Sequence, residues 1–383
     1  MPIRGTGREF IHFFESGWYN ISVKRLHWVL IILLVSVCAL TNGVPAATTE
    51  SPWISAYPDS RPIPRDPRVK ADDAASFKAY GTGVPPWFLP VPIWRALVNR
   101  NLFKQPKLHE PVARIEDRKI DVPGGRIHIR IYTPEGKGPF PIMVFIHGGG
   151  WIICNLDTYD DVMRSFCRRA GIVVVGIDYR LAPKYKFPVP LEDSYAGFLW
   201  TAAHASELGA DPSRLAVVGD SAGGNLAAAV VLLARDRRGP KIASQIVSYP
   251  GDSNLDTGSM HLYAAGYGLS RDLVKWSLAH YMPSAKDYDN PVAWPMKAHD
   301  LTGLPPALLQ VGAYDVFRDA TIGYATRLQE AGVPVHLTIY QDQGHILWLS
   351  AADHPQRDHA LQEACDALVA RLKQDGFGMS LKR

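Results

Sequence analysis

The chain has 383 residues, 47% of them hydrophobic and 20% charged, with a formal net charge of +4. These values belong to a globular protein with a sizeable core and exclude disordered, collagen-like and low-complexity classes. Lys and Arg are scattered rather than arranged in a basic stripe interleaved with aromatics, so no nucleic acid is expected as a partner.

In chain order, Lys24-Arg25 precede residues 29–40, which carry no charge, and the small residues Thr41-Asn42-Gly43-Val44-Pro45-Ala46-Ala47 follow. A basic flank, a short apolar core and a small-residue exit describe a secretory signal. Residues 1–47 are therefore expected to be a signal peptide cleaved near Ala46 or Ala47, with the protein exported (secreted or periplasmic). The alternative is an uncleaved anchor over residues 26–40, which would associate the chain with a membrane. Residues 48–70 hold Pro52, Pro58, Pro62, Pro64 and Pro67 and read as a linker. The segment 71–111 is apolar and aromatic (Phe77, Tyr80, Trp87, Phe88, Trp94) and is broken by Pro85-Pro86 and Pro90. Such a cluster must cover something. Four cysteines occur, Cys38, Cys154, Cys167 and Cys365, with neither a disulfide framework nor metal spacing. One bridge, Cys154 to Cys167, and buried free thiols are both compatible with that count.

The main body starts near Val112. Residues 126–132 alternate as an edge strand after a hairpin turn at Gly124-Gly125. Strands are predicted at 141–146, 172–177, 214–219, 243–249, 306–311 and 334–340. Helices are predicted at 157–170, 191–206, 222–236, 319–331 and 354–373. Strands alternating with helices give an α/β class with a mostly parallel sheet covered on both faces. Residues 251–303, with helical runs such as Leu273-Val274-Lys275-Trp276-Ser277-Leu278, are too long for a bare loop and interrupt a body of 112–250 and 304–383.

The most informative string is Gly219-Asp220-Ser221-Ala222-Gly223, between the apolar run Leu215-Ala216-Val217-Val218 and a helical run. A strand turning this tightly into a helix leaves the serine on a sharp bend, with glycines where strand and helix approach closely. The helix N-terminus behind Ser221 directs amides at the place where an oxyanion would form. Alone, the string is also compatible with a tight turn carrying a surface serine. His147-Gly148-Gly149-Gly150-Trp151, after strand 141–146, adds main-chain donors without side chains in the way. A phosphate loop is the competing reading, but no lysine follows at the required spacing and no GxGxxG occurs. Serine needs a base, and the base an orienting carboxylate, downstream at other strand ends. Asp315 follows run 306–311 and His345 follows run 334–340. Asp319, one helical turn past Asp315, fits loop support; His336 lies inside a strand and reads as packed; His354 and His359 belong to the last helix. His147 precedes the nucleophile and fits a loop-holding role.

These strings resemble the hormone-sensitive-lipase branch of the α/β-hydrolases, which includes microbial carboxylesterases and the arylacetamide deacetylases. Asp178-Tyr179-Arg180-Leu181-Ala182-Pro183, Leu304-Pro305-Pro306-Ala307 and Asp315-Val316-Phe317-Arg318-Asp319 extend the likeness over about residues 110–372. The resemblance implies an α/β-hydrolase fold with a helical cap built from 71–111 and 251–303. It implies Ser221 as nucleophile, Asp315 as acid and His345 as base, with Gly149, Gly150 and Ala222 as oxyanion donors and Gly148 mainly shaping the loop. It implies a carboxylesterase acting on small-molecule esters of short to medium acyl length, with no metal or organic cofactor. An amidase, N-acetyl hydrolase or peptidase would use the same residues, and a non-catalytic ligand-binding relative would lack the histidine that is present here. Two positions depart from the family pattern: Ile346-Leu347 where glycine and phenylalanine are frequent, and Lys184 where glutamate is. Trp151, Phe317 and Ile346 are candidate pocket residues or scaffold.

Overall fold

Strand β4 (Phe140–Ile146) is buried from its second residue to its last, which explains why its sequence is a continuous apolar run and not an alternating one. It lies inside a nine-stranded sheet of order β1-β9-β8-β7-β6-β4-β5-β3-β2. The strands are β1 (Ile54–Tyr57), β2 (Arg114–Val122), β3 (Gly125–Thr133), β4, β5 (Val173–Asp178), β6 (Ala210–Asp220), β7 (Ser244–Ser248), β8 (Ala307–Gly312) and β9 (Val335–Tyr340). The computed structural model describes residues 54–57, 85–104, 107–341, 343–345, 347–349 and 354–372. All of these belong to the second of two units, Pro52–Arg383; the first is Met1–Ser51. The signal or anchor expected over 1–47 lies outside the described residues.

All neighbours from β1 through β9, β8, β7, β6 and β4 to β5 are parallel, and only β3 runs against the rest. Two expectations are corrected here. The strand at 126–132 is not the edge: β3 lies between β5 and β2, and β2 takes the outer position. Within the 48–70 segment read as a linker, Ile54–Tyr57 forms a strand paired with Leu337 to Tyr340. Proline spacing marks where a chain cannot continue a ladder but not whether four residues between prolines dock on one. The free edge of β9 supplies unpaired amides and carbonyls for such docking.

Among the described residues eight α-helices connect or cover the strands: α1 (Val91–Phe103), α2 (Asp160–Ala170), α3 (Val189–His204), α4 (Ser221–Asp236), α5 (Gly258–Leu262), α6 (Arg271–Tyr281), α7 (Arg318–Glu330) and α8 (Pro355–Leu372). Helix α2 shows why these segments are helical. Asp160 and Asp161 occupy its first turn, Arg168 and Arg169 its last, and Gly171 ends it in the left-handed conformation at φ 58°. Helix α4 is apolar all round, and every residue from Ser221 to Ala234 is buried. Helix α1 and the stretch holding α5 and α6 are the parts of 71–111 and 251–303 that the sequence reading assigned to a cap. Cys154, Cys167 and Cys365 are buried free thiols, so the Cys154–Cys167 bridge is not formed. His336, expected to be packed, is half-exposed and stands 3.6 Å from Glu363.

A buried ion pair joins α2 to α8: Arg357 Nη2 lies 2.6 Å from Asp161 Oδ2, with side chains only 4% and 6% exposed. Arg357 Nε also donates to the carbonyl of Trp348 at 3.0 Å, so the pair braces the segment that follows His345. Removing the guanidinium leaves a buried carboxylate unpaired. Arg357→Met is expected to lower the unfolding free energy by about 3–5 kcal/mol in urea titrations, and adding Asp161→Asn is expected to restore part of the loss.

Candidate active site

The site is assembled at the carboxyl edge of the sheet, where the loops after four parallel strands meet. Strands β4 and β6 are neighbours with Ile146 opposite Gly219, so the glycine loop and Ser221 emerge side by side. A Cβ at Gly219 would strike the carbonyl groups of Gly223 and Ile146, and one at Gly223 would strike Ile146 and His147. The turn closes only because both positions lack side chains. Ser221 itself sits at φ +53°, in the left-handed region that non-glycine residues rarely adopt. Its carbonyl accepts from the Gly251 amide at 2.9 Å, which ties the bend to the loop after β7.

The predicted residues converge. Ser221 Oγ lies 2.8 Å from His345 Nε2, and His345 Nδ1 lies 2.8 Å from Asp315 Oδ2. Asp315 is fully buried, and its other oxygen accepts the Phe317 amide at 2.9 Å, which fixes the carboxylate plane. The rings of Tyr249 and Phe317 stand edge-on to the imidazole at 4.9 and 5.7 Å between centroids. The imidazole is thus confined on two sides by aromatic walls and at both nitrogens by hydrogen bonds. Asp319 does not enter the relay. Its Oδ2 accepts the Ser259 amide at 2.7 Å while Ser259 Oγ accepts the Asp319 amide at 3.1 Å, a reciprocal bond that fastens α5 to the start of α7.

The glycine loop is positioned from three directions. Gly148 N donates to Asp220 Oδ1 at 3.1 Å, so that amide is already engaged. Gly149 and Gly150 take φ values of +111° and +59° and line the same cavity as Ser221, Ala222 and His345. His147 holds the loop: Nδ1 bonds the Gly148 carbonyl at 2.7 Å, and the ring stacks on Tyr179 at 4.4 Å. Burial pushes the imidazole of His147 down to about 4, so it is neutral near pH 7. From outside the loop, α1 reaches in: Arg95 Nε donates to the Ile152 carbonyl, and Asn99 Oδ1 accepts the Cys154 amide at 2.8 Å. Trp151 is scaffold as well as lining, stacked on Tyr281 at 4.4 Å. Phe317 lines the cavity; Ile346 lies outside the described residues. Lys184 stands 5.1 Å from the ring of Tyr185.

One functional residue had no role in the sequence reading. Asp220 is buried and accepts from Tyr159 Oη at 2.7 Å and Tyr249 Oη at 3.1 Å, besides the Gly148 amide. Burial pushes its carboxyl up to about 6 against the opposing effect of these hydrogen bonds and of His345. Its place before the serine was visible; its donors, on distant elements, were not.

Fold and site together define an α/β-hydrolase with a serine-centred site. A family model described as alpha/beta hydrolase fold matches residues 143–349, and the chain belongs to that family, in its hormone-sensitive-lipase-like branch. Among similar proteins, the carboxylic ester hydrolase LipN of Mycobacterium tuberculosis is 44% identical over 239 residues, 61% of this chain and 63% of LipN. The chain thus spans less than two thirds of that relative's length. An arylesterase of Saccharolobus solfataricus is 39% identical over 243 residues, 63% of this chain and 78% of that protein. The crystal structure of a thermostable esterase from Pseudomonas putida superimposes with a TM-score of 0.74 at 30% identity, covering 82% of this chain and 100% of the other.

Truncating Asp220 leaves three buried donors without an acceptor, each at a cost of about 1–3 kcal/mol. Asp220→Ala is expected to lower both the melting temperature and kcat/KM, the latter by about 10–100-fold, while Asp220→Asn, which keeps an acceptor for Gly148, loses less. The folded-state pKa is raised, so the carboxyl's stabilising contribution is complete below its ordinary value and is lost as pH rises to about 6. Urea titrations should therefore show Asp220→Asn gaining stability relative to the parent between about pH 4.5 and about pH 7.

Proposed function

We propose that the chain is a serine carboxylesterase that hydrolyses short- to medium-chain acyl esters through an acyl-enzyme. The single observation that carries this reading is the unbroken relay from Ser221 Oγ through His345 to Asp315, with both links at 2.8 Å, beside a glycine loop. In the proposed reaction His345 Nε2 takes the hydroxyl proton as Ser221 Oγ attacks the ester carbonyl. Asp315 holds the Nδ1–H tautomer and stabilises the imidazolium that forms. The tetrahedral oxyanion is received by the amides of Gly149, Gly150 and Ala222, each contributing about 3 kcal/mol by the measure of known donors. The engagement of the Gly148 amide by Asp220 supports assigning the donors to the two glycines beyond it. Collapse of the intermediate breaks the bond to the alkoxy oxygen, which leaves as the alcohol with the proton from His345. Water, deprotonated by the same imidazole, then attacks the acyl carbonyl and frees the acid and Ser221.

The cavity wall supports this substrate class. Trp94, Leu102, Leu269, Leu273, Val274 and Phe317 surround Ser221, a mostly apolar lining with no Lys or Arg among the described residues to hold a charged acyl chain. Leu102 and Trp94 come from α1, Leu273 and Val274 from α6, so the two cap pieces both contribute. The names of the similar proteins, which are esterases and carboxylic ester hydrolases, support the same reading.

Ser221→Ala should reduce hydrolysis of p-nitrophenyl acyl esters by at least about 10⁴-fold without changing the circular-dichroism spectrum. A fluorophosphonate should label the parent at Ser221 and leave the variant unlabelled; turnover persisting in the variant would refute the assignment. Across a series of acyl lengths, kcat/KM is expected to peak among short to medium chains and fall for long ones.

A further inference from the structure

Among the described residues eight large hydrophobic side chains are exposed, and six of them fall between residues 87 and 108: Trp87, Phe88, Ile93, Leu97, Phe103 and Leu108. Scattered exposed leucines are ordinary; a concentration of aromatic and aliphatic side chains on one short segment is not. Phe88 is 71% exposed and Phe103 57%. The helical period of α1 separates two faces. Trp94, Val98 and Leu102 turn inward, two of them lining the cavity above Ser221. Ile93, Leu97, Arg100 and Lys104 turn outward and are exposed.

The charge on this segment is one-sided. Residues 85–109 contain Arg95, Arg100, Lys104 and Lys107 and no Asp or Glu. Arg95 is engaged with the carbonyls of Ile152 and Ala182, and Lys107 with that of Asp157. Arg100 and Lys104 stand exposed beside the apolar side chains.

We propose that this face docks on the surface of an anionic phospholipid bilayer. Trp87, Phe88 and Phe103 would enter the headgroup level, with Arg100 and Lys104 on the lipid phosphates. Aromatic and aliphatic side chains next to basic ones are what an interfacial helix uses against such a surface; the carboxylates nearest to Phe103 and Lys104, Asp157 and Asp160, are held by Arg130 and Arg164. A second copy of the chain is a poorer occupant. A two-fold pairing of this face would bring the basic rows of both copies together, and the carboxylates beside them, Asp157 and Asp160, are already paired with Arg130 and Arg164. Because the inner face of α1 lines the cavity, docking brings the cavity within about one helix diameter, about 10 Å, of the lipid. That consequence for substrate supply rests on the esterase reading; the docking itself does not.

The test uses the full chain with Cys38→Ser, so that the remaining native thiols, Cys154, Cys167 and Cys365, are buried. One reporter thiol is introduced by Phe88→Cys, or in a separate protein by Ser206→Cys beyond the far end of α3, and carries an environment-sensitive fluorophore. With phosphatidylcholine/phosphatidylglycerol vesicles bearing brominated chains, the label at 88 should shift to the blue and be quenched while the label at 206 is not. Pure phosphatidylcholine should give at least about tenfold weaker association at 88, and Arg100→Glu with Lys104→Glu should weaken the response by a similar factor. Unchanged turnover of a soluble ester would show that the double variant is folded. Three results would overturn the proposal: no quenching at 88 while the protein floats with the vesicles, a label at 88 already shielded before lipid is added, or indifference to the double charge reversal. The first would assign membrane association to another part of the chain, and the second would assign the face to the chain itself or to a second copy.

Discussion

The tight passage from β6 into α4 is the constraint on which the rest of the site depends. A non-glycine residue held at φ +53° costs on the order of 1–3 kcal/mol and persists only when its surroundings over-determine it. Here they do. The first fourteen residues of α4 are buried, β6 is locked between β4 and β7, and the Ser221 carbonyl is tied to Gly251. The strain lifts the serine hydroxyl above the sheet edge and aims the first amides of α4 into the same space. Without glycine at 219 and 223 the helix would be displaced from the carbonyl end of β4, and the serine would part from the glycine loop.

Around that bend α1, α5 and α6, the helices read from the sequence as a cap, share fastenings with the sheet body and do not merely lie against it. Arg95 and Asn99 of α1 bond the main chain at Ile152 and Cys154, just past the glycine loop. Ser259 of α5 and Asp319 of α7 exchange bonds beside the Asp315 loop. Ser277 of α6 stands close to Gly150, where an added Cβ would lie 3.0 Å from its Oγ. A change in these helices therefore reaches the proposed donors and acid through hydrogen bonds, and residues lining the cavity are coupled to the residues proposed to do the chemistry.

How much of this the sequence disclosed depends on the range of the interaction. The turn at Ser221 is written locally, because glycine spacing and a strand-to-helix switch fall within a few residues. Asp315 and His345 were legible one step further out, since a parallel sheet puts every strand's carboxyl end on one edge and each follows such an end. Asp220 was read as part of a string and given no task. Its donors come from residues 148, 159 and 249, and no local pattern marks a tyrosine as the partner of a carboxylate far along the chain. Strand β1 escaped for a related reason: four residues between prolines show no periodicity, and what makes them a strand is the unpaired edge of β9. The edge assignment of residues 126–132 failed because alternation reports exposure of one face, which β3 shares with a true edge strand.

Two carboxyl groups flank the imidazole, and their surroundings give them different work. Asp315 accepts the imidazole N–H directly and one amide, so positive charge developing on His345 lies in contact with it. Asp220 accepts only neutral donors, two phenols and an amide, and burial keeps its carboxyl near 6. The tyrosines cannot neutralise it by giving up protons, since burial holds both well above their ordinary value. A carboxylate so placed is stabilised only in part by its donors, and a cation forming nearby completes the balance. In the proposed reaction the imidazolium is that cation. Asp220 would then favour the charge-separated state through space while its hydrogen bond to Gly148 keeps the glycine loop in register. Separate environments thus divide orientation of the base from organisation of the loop, as with other paired carboxylates that serve distinct ends within one site.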